Sequence, residues 1–124
     1  MGLLVLIADD DRDIVRFVAL NLRLEGFEVV VANNGQDALD KALDARPSLI
    51  LLDTMMPRMD GYEVCSRFRD ERPDSQVPVI MLTAKSMEAD RAMAFTAGAD
   101  DWVTKPFDPA DLVSRVKDHL RAHA

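Results

Sequence analysis

The chain has few residues that support thiol or imidazole chemistry. Its 124 residues include one cysteine, Cys65, so neither an internal disulfide nor a cysteine-based metal site can form. The only histidines, His119 and His123, stand at the C-terminal end, far in sequence from every run of carboxylates. A Ser-His-Asp or Cys-His mechanism is therefore unsupported, and Cys65 is predicted to be a small buried helix residue.

The sequence also lacks a basic stripe and a long apolar segment. Its formal net charge of −7 argues against a surface that binds nucleic-acid phosphates. The first apolar run, LLVLIA (3–8), is too short to span a bilayer, and no basic region precedes it. We therefore predict a cytoplasmic protein that binds neither nucleic acid nor membrane.

What the chain does contain is a regular alternation of strand-like and helix-like segments. Hydrophobic residues make up 48% and charged residues 30%, the balance of one ordinary globular domain over 1–124. The predicted strands are LLVLIA (3–8), FEVVVA (27–32), SLILLD (48–53), VPVIMLT (77–83) and DWVTK (101–105). A helix is predicted after each strand, the last three over 61–71, 88–97 and 108–122.

Five rounds of strand and helix predict an α/β fold, a doubly wound parallel sheet with helices on both faces. In such open sheets, binding sites form beyond the carboxyl ends of the strands. The residues that follow each predicted strand are therefore the first place to look for function.

Polar side chains stand at four of these strand ends. Asp9 and Asp10 follow the first strand, Asp53 ends the third, Thr83 the fourth and Lys105 the fifth. Carboxylates that share one edge repel each other unless a cation neutralises them. Ligands that are all oxygen, without histidine or cysteine, favour Mg²⁺, with Mn²⁺ as the alternative.

These residue types also suit phosphoryl chemistry. A carboxylate can attack phosphorus, and a metal ion balances the charge on the phosphoryl oxygens. Lys105 would supply a second cation for those oxygens, and the Thr83 hydroxyl a hydrogen-bond donor.

The ordered motifs LIADDD, LLDTMMPRMDG, MLTAK and ADDWVTKPF resemble the receiver domain of two-component response regulators. The resemblance covers essentially the whole chain and is greatest to the subfamily with winged-helix DNA-binding outputs. It implies a flavodoxin-like fold with strand order 2-1-3-4-5 and a single receiver domain, with no output domain in this chain. It also implies a sensor histidine kinase or phosphotransfer protein as partner.

The resemblance assigns roles to the acidic residues. Asp53 corresponds to the phosphorylated aspartate, and Asp9 and Asp10 to the acidic pair for Mg²⁺. Asp10 is expected to bind the metal directly and Asp9 through water, with the backbone carbonyl of Met55 as a further ligand. Asp11, the third acidic residue of the run, is interpreted as a helix cap.

Thr83 and Lys105 are expected, by the same resemblance, to contact the phosphoryl oxygens once Asp53 is modified. The Lys105–Pro106 bond is expected to be cis, as in the family. Trp102 stands where the family usually has Tyr or Phe as an aromatic switch. The alternative, a tryptophan that only packs on the sheet, stays open for this larger side chain.

A set of charges resembles the ion-pairing surface on which winged-helix response regulators dimerise after phosphorylation. Its members are Arg91, Asp100, Asp101, Asp111 and Arg115. One position departs from the family pattern, because Thr96 stands where an acidic partner for Lys117 is expected. Without the resemblance these residues are solvated charges, and exposed pairs contribute little.

The predicted protein is a signalling domain and not a conventional enzyme. It would support its own Mg²⁺-dependent phosphorylation and a slow loss of the phosphoryl group. Met55 and Lys85 lie two residues beyond Asp53 and Thr83, where a bulky side chain can obstruct an attacking water.

Three other functions are alternatives. A haloacid-dehalogenase-type phosphatase also uses an aspartate nucleophile, but it needs a second aspartate where this chain has Met55. A flavodoxin-like cofactor binder needs a Ser/Thr/Gly-rich loop after the first strand, where this chain has three aspartates. A receiver used only for binding would not need all the phosphorylation residues that are present.

Overall fold

The computed structural model of the protein describes residues 2–84 and 88–122. The strands are β1 (Leu4–Ala8), β2 (Glu28–Ala32), β3 (Leu49–Asp53), β4 (Val79–Thr83) and β5 (Asp101–Thr104). The helices are α1 (Arg12–Leu24), α2 (Gly35–Asp44), α3 (Gly61–Glu71), α4 (Glu88–Thr96) and α5 (Pro109–Ala122). Lys85 and His123, both singled out from the sequence, lie outside the described residues.

The five strands form one parallel sheet in the order β2-β1-β3-β4-β5, which confirms the predicted fold class and strand order. Strand β3 lies at the centre, and each of its five residues is buried. Strands covered on both faces are continuous apolar runs, because neither face can hold polar side chains.

Two apolar layers enclose this sheet. Successive residues of β3 alternate between them: Ile50 and Leu52 face the layer of α2, α3 and α4, whereas Leu49 and Leu51 face that of α1 and α5. This alternation follows from the two-residue period of a strand. With both faces filled, functional groups can gather only at the ends of the strands.

Aspartate and asparagine side chains cap the N-termini of α1, α2 and α3. The Asp11 carboxylate accepts from the backbone N–H groups of Asp13 and Ile14, which confirms Asp11 as the cap of α1. Asn34 and Asp60 cap α2 and α3 in the same way. Capping satisfies backbone donors that the first turn of a helix leaves unpaired.

The observed strand boundaries differ slightly from the predicted ones. Strand β4 begins at Val79 and not at Val77, because Pro78 has no N–H to donate, although its carbonyl accepts from Ile50. Strand β5 ends at Thr104, so Lys105 belongs to the following turn, and its peptide bond to Pro106 is cis as predicted.

Cys65 lies buried in α3, as predicted, where burial raises the pKa of its thiol to about 11. A thiol that stays protonated is a poor nucleophile. Within residues 2–84 and 88–122, no helix is long and apolar enough to cross a membrane.

Candidate functional site

The predicted polar residues meet at the carboxyl end of the sheet. Asp9 follows β1, Asp53 is the last residue of β3, and Thr83 is the last residue of β4. Because β1, β3, β4 and β5 are neighbours in that order, Asp53 lies between the ends of β1 and β4. Lys105, just after β5, lies at the same edge of the sheet, and we call this edge with its polar residues the rim.

Three carboxylates form a compact acidic group at the rim. Asp9, Asp10 and Asp53 each place one oxygen so that all three lie within 4.8 Å of one another. Asp9 is 0% exposed and Asp53 6%, whereas Asp10 is exposed to solvent. Buried carboxylates need compensating charge, so this group calls for nearby cations.

Lys105 provides one such charge. Its Nζ lies 2.7 Å from Asp9 Oδ2 and 3.4 Å from Asp53 Oδ1, with the side chain 16% exposed. Burial alone would lower the pKa of Lys105, but the hydrogen bond to Asp9 and the charges of both carboxylates outweigh it and raise the pKa. The ammonium therefore stays charged and pairs more closely with Asp9 than with Asp53.

The negative charge of Asp53 is only partly offset by the positive charge of Lys105. Burial, and after it the negative charge of Asp9, raises the pKa of Asp53 to about 6, although Lys105 and the Met55 N–H act in the opposite direction. One ammonium thus does not fully offset two buried carboxylates. A divalent cation bound beside Asp53 would supply the missing positive charge.

Backbone donors orient both buried carboxylates. The N–H of Asp11 donates to Asp9 Oδ1 at 2.9 Å, and the N–H of Met55 donates to Asp53 Oδ1 at 3.3 Å. The Met55 side chain is 62% exposed and stands at the edge of the site. Whether its carbonyl binds a metal stays a prediction.

Thr83 is held by a neighbour that the sequence did not single out. Its side chain is 1% exposed, and its Oγ1 lies 3.2 Å from Oγ1 of Thr54, which is buried too. The backbone N–H of Thr54 donates to the Leu82 carbonyl, so the two hydroxyls share one rim. The only sequence signal for Thr54 was its place directly after Asp53.

The start of α3 packs directly against the end of β3. The Gly61 N–H donates to the Thr54 carbonyl at 3.0 Å. A Cβ on Gly61 would lie 2.2 Å from the Asp53 carbonyl oxygen, so no larger residue fits without moving the strand end. Because Gly61 has no side chain, α3 can begin directly beside Asp53.

Trp102 lies on β5, away from the acidic group. Its side chain is half-buried and packs against the apolar layer beneath α2, α3 and α4. Its backbone N–H donates to its neighbour Asp101 at 2.7 Å. This packing fits both interpretations of Trp102, so its role as a switch stays a prediction.

Members of the predicted dimer surface are paired within the chain. Asp100 Oδ2 accepts from Arg69 at 2.9 Å and from the Val79 N–H at 2.8 Å. Arg69 also donates to the Gly98 carbonyl, so this arginine fastens α3 to the turn before β5. Asp100 thus has a structural role inside the monomer that the sequence did not indicate.

The remaining charges cluster on β5 and α5. Arg115 lies 3.1 Å from Asp101 and 3.4 Å from Asp111, and His119 Nε2 lies 2.9 Å from Asp101. Arg91, on α4, instead lies over the Phe95 ring at 5.7 Å. No role was predicted for His119 because it is far in sequence from every run of carboxylates, yet α5 brings its ring to Asp101.

Comparison with known proteins agrees with this architecture. The family model for the response regulator receiver domain matches residues 5–117. A CheY-like receiver domain protein from Methanospirillum hungatei is 30% identical, with a TM-score of 0.91 over 98% of this chain and 96% of the other. These matches extend from strand β1 into helix α5.

Two structures of a further relative, DrrB, also match. The BeF3-activated DrrB receiver domain is 36% identical, with a TM-score of 0.88 over 98% of this chain and 99% of the other. DrrB itself, described as an OmpR/PhoB homologue from Thermotoga maritima, is 35% identical with a TM-score of 0.88, and the match covers 99% of this chain and 54% of DrrB. With its fold, its rim residues and these matches, the chain belongs to the response regulator receiver domain family.

Proposed function

We propose that this receiver domain accepts a phosphoryl group on Asp53 from the phosphohistidine of a sensor histidine kinase or phosphotransfer protein. The observation that carries the proposal is the position of Asp53 beside Asp9, Asp10 and Lys105 at the end of the central strand. The reaction takes place in the cytoplasm, and the modified domain controls an output domain or partner.

The acidic group suits Mg²⁺, with Mn²⁺ as the alternative. Asp10, Asp53 and the Met55 carbonyl would hold the cation directly, and Asp9 through water. The fit is supported by three carboxylate oxygens within 4.8 Å and by the raised pKa of Asp53. When bound, the cation neutralises charge on the phosphoryl oxygens, which carboxylates alone would repel.

Asp53 acts as the nucleophile. A bond forms between a carboxylate oxygen of Asp53 and phosphorus while the bond from phosphorus to the donor's imidazole nitrogen breaks. Lys105, 3.4 Å from Asp53 Oδ1, then pairs with a phosphoryl oxygen, and the Thr83 hydroxyl donates to another. The product is an acyl phosphate, and its slow hydrolysis returns the domain to its initial state.

The acyl phosphate changes the surface formed by α4, β5 and α5. Thr83 moves toward the phosphoryl group, and Trp102 follows on the neighbouring strand β5. The two arrangements are states in equilibrium, and phosphorylation shifts their populations. Similarity to the BeF3-activated receiver of DrrB supports the use of beryllofluoride as a mimic of the phosphoryl group.

The assignment to the subfamily with winged-helix outputs is part of this proposal. It is supported by similarity to DrrB and by the charges on β5 and α5. Residues 1–124 are then one receiver domain, and phosphorylation favours a symmetric homodimer through Arg91, Asp100, Asp101, Asp111 and Arg115.

Incorporation of phosphate from acetyl phosphate tests the proposal. With Mg²⁺ present, the wild-type chain should gain one phosphoryl group, and Asp53→Asn should gain none because the amide is not a nucleophile. Asp44→Asn, which alters an exposed aspartate at the end of α2, should be labelled like the wild type. Labelling of Asp53→Asn would refute the assignment.

A further inference from the structure

Behind the rim, three hydroxyl groups lie between β3, β4 and α3. Oγ1 of Thr54 and Oγ1 of Thr83 are hydrogen-bonded to each other at 3.2 Å, and both side chains are buried. The third hydroxyl belongs to Tyr62, the second residue of α3, whose ring packs against the apolar layer under that helix. Tyr62 is the only tyrosine in the sequence.

The Tyr62 hydroxyl is a buried polar group in need of a partner. Its oxygen is inaccessible to solvent and finds no hydrogen-bond partner among residues 2–84 and 88–122. Buried hydroxyls are nearly always paired, so an unpaired one needs an explanation. Leaving it unpaired costs folding free energy in the present state.

Thr54 is the neighbour that can become this partner. Burial raises the pKa of Tyr62 and the charge of Asp90 adds to the effect, whereas the interaction with the Thr54 hydroxyl lowers it, although the two groups do not meet in full hydrogen-bond geometry. The two residues are held together by the tight contact of Gly61 with the end of β3. Thr54 is therefore close enough to act on the Tyr62 hydroxyl without pairing with it.

We propose that Thr54 and Tyr62 are positioning residues that exchange hydrogen bonds when Thr83 moves. In the unmodified protein, the Thr54 hydroxyl donates to that of Thr83, and the Tyr62 hydroxyl has no partner within the described part of the chain. When Thr83 turns to the phosphoryl group on Asp53, Thr54 loses this partner and the Tyr62 phenol replaces it. This inference rests on the proposed function, because phosphorylation of Asp53 is what draws Thr83 away.

The exchange favours the modified state. A hydroxyl of threonine or tyrosine can both donate and accept, so every pairing in the scheme is chemically allowed. Without Tyr62, movement of Thr83 would leave Thr54 buried and unpaired. With it, the buried unpaired hydroxyl of the initial state is removed, and the conformational equilibrium shifts toward the state that binds the phosphoryl group.

A double-mutant cycle with beryllofluoride tests this exchange. Binding in the presence of Mg²⁺ is followed by the fluorescence of Trp102, the only tryptophan. Tyr62→Phe keeps the ring and removes the hydroxyl, and we expect it to weaken apparent beryllofluoride affinity about three- to tenfold. In a Thr54→Val background, Tyr62→Phe should have no further effect, because the phenol has lost its new partner.

Ser66→Ala is the matched control, since it removes an exposed hydroxyl from the same helix and should leave the affinity unchanged. Equal affinity of Tyr62→Phe and wild type would overturn the inference. So would an undiminished effect of Tyr62→Phe in the Thr54→Val background, because the phenol would then pair elsewhere, for instance with Asp90. A wild type that binds no beryllofluoride would instead refute the proposed function.

Two further measurements separate the exchange from a packing role. Thermal unfolding of unmodified Tyr62→Phe should occur at or above the wild-type temperature, because the phenol has no hydrogen bond to lose, and a clear decrease would contradict the premise.

Labelling with meta-fluorotyrosine gives one fluorine NMR resonance from the protein, that of Tyr62, which is separate from the signals of beryllofluoride. It should shift on addition of beryllofluoride in the wild type and not in Thr54→Val, and a shift in both would identify another partner.

Discussion

Asp9 and Asp53 are two carboxylates buried at one rim, and within residues 2–84 and 88–122 they pair with one ammonium, that of Lys105. Burial, and after it the charge of Asp9, raises the pKa of Asp53 to about 6, and Lys105, which lies nearer to Asp9, does not offset this increase. This imbalance explains why the end of such an apolar strand is polar. The strand positions a carboxylate whose charge is fully offset only when a further cation binds.

We expect removal of the Lys105 ammonium to destabilise the fold, because two buried carboxylates would then lose their shared positive charge. We expect Lys105→Met to lower the free energy of unfolding by about 2–3 kcal/mol in a chelator, because Asp9 is left buried without its partner. Saturating Mg²⁺ should reduce the deficit, since a bound cation restores the missing charge. Urea unfolding at neutral pH, with and without Mg²⁺, measures both effects.

Lys117→Met is the matched control for that comparison. Lys117 pairs with Glu25 at the surface, and both side chains are well exposed. We expect its loss to cost under about 1 kcal/mol, without any dependence on Mg²⁺. Equal decreases in the free energy of unfolding for the two substitutions would show that Lys105 does not stabilise the buried carboxylates more than a surface pair is stabilised.

Individual site residues could be predicted where sequence position alone decides their location. Asp9, Asp53, Thr83 and Lys105 each come directly at or after a strand, and parallel strands end at one edge. Asp100 was predicted as a member of the dimer surface, and its hydrogen bond with Arg69, 31 residues away in sequence, was not predicted. Such pairs depend on how helices dock, which no local pattern encodes.

At the scale of elements, Gly61 sets the distance between α3 and β3. We expect Gly61→Ala to lower the free energy of unfolding by about 2–3 kcal/mol, because its Cβ would lie 2.2 Å from the Asp53 carbonyl oxygen. The displaced strand end should also weaken Mg²⁺ binding. Urea unfolding and a Mg²⁺ titration monitored by Trp102 fluorescence measure these changes.

Gly26→Ala provides the comparison for Gly61→Ala. Gly26 has a φ of +93°, so alanine there is strained, but nothing lies within 4 Å of the added Cβ. The cost should be about 1–2 kcal/mol, and the Mg²⁺ affinity should not change. A Mg²⁺ affinity lowered by Gly26→Ala but not by Gly61→Ala would contradict the role given to the contact between α3 and β3.

The junction of β5 and α5 should show a pH-dependent stability. Burial alone would raise the pKa of Asp101, but hydrogen bonds from His119 and the Trp102 N–H, together with the charge of Arg115, outweigh it and lower the pKa. A lowered pKa in the folded state stabilises the fold above the unfolded value near 4. That contribution is lost as the pH falls through the folded pKa.

Asp101→Asn should therefore lower the free energy of unfolding by about 1–2 kcal/mol at pH 7, and the difference should shrink below about pH 4. Urea unfolding across this pH range provides the measurement. Asp118→Asn, an exposed aspartate on α5, should stay within about 0.5 kcal/mol of wild type at every pH. If Asp101→Asn lowered the free energy of unfolding equally at every pH, the stabilisation would not come from the charge of the Asp101 carboxylate.

At the scale of the whole molecule, the sheet order and the two apolar layers follow from the alternation of five strands and five helices and from the family resemblance. The exact strand boundaries were less predictable, because β4 begins only after Pro78 and β5 ends at Thr104, one residue before the predicted end. The conformational change that we propose would likewise not be encoded in a local pattern, since it involves contacts such as that of Thr54 with Thr83, which lie 29 residues apart in sequence.

Self-association is the prediction that belongs to the whole molecule. We expect beryllofluoride and Mg²⁺ to shift the protein from monomer to a species of twice the mass in analytical ultracentrifugation. Arg115→Ala should abolish the shift, because Arg115 would exchange its pairing with Asp101 inside the chain for one across the interface. Lys41→Ala, on the opposite edge near β2, should dimerise normally. An unchanged monomer at high concentration would refute the dimer.

The central claim, that Asp53 carries the phosphoryl group, is tested most directly by locating the modification. After reaction with acetyl phosphate and Mg²⁺, borohydride reduces an aspartyl phosphate to homoserine, which peptide mass spectrometry can assign to one position. We predict homoserine at position 53, and none when Mg²⁺ is chelated. Homoserine at Asp9 or Asp10, or at no position in a folded wild-type protein, would contradict the account.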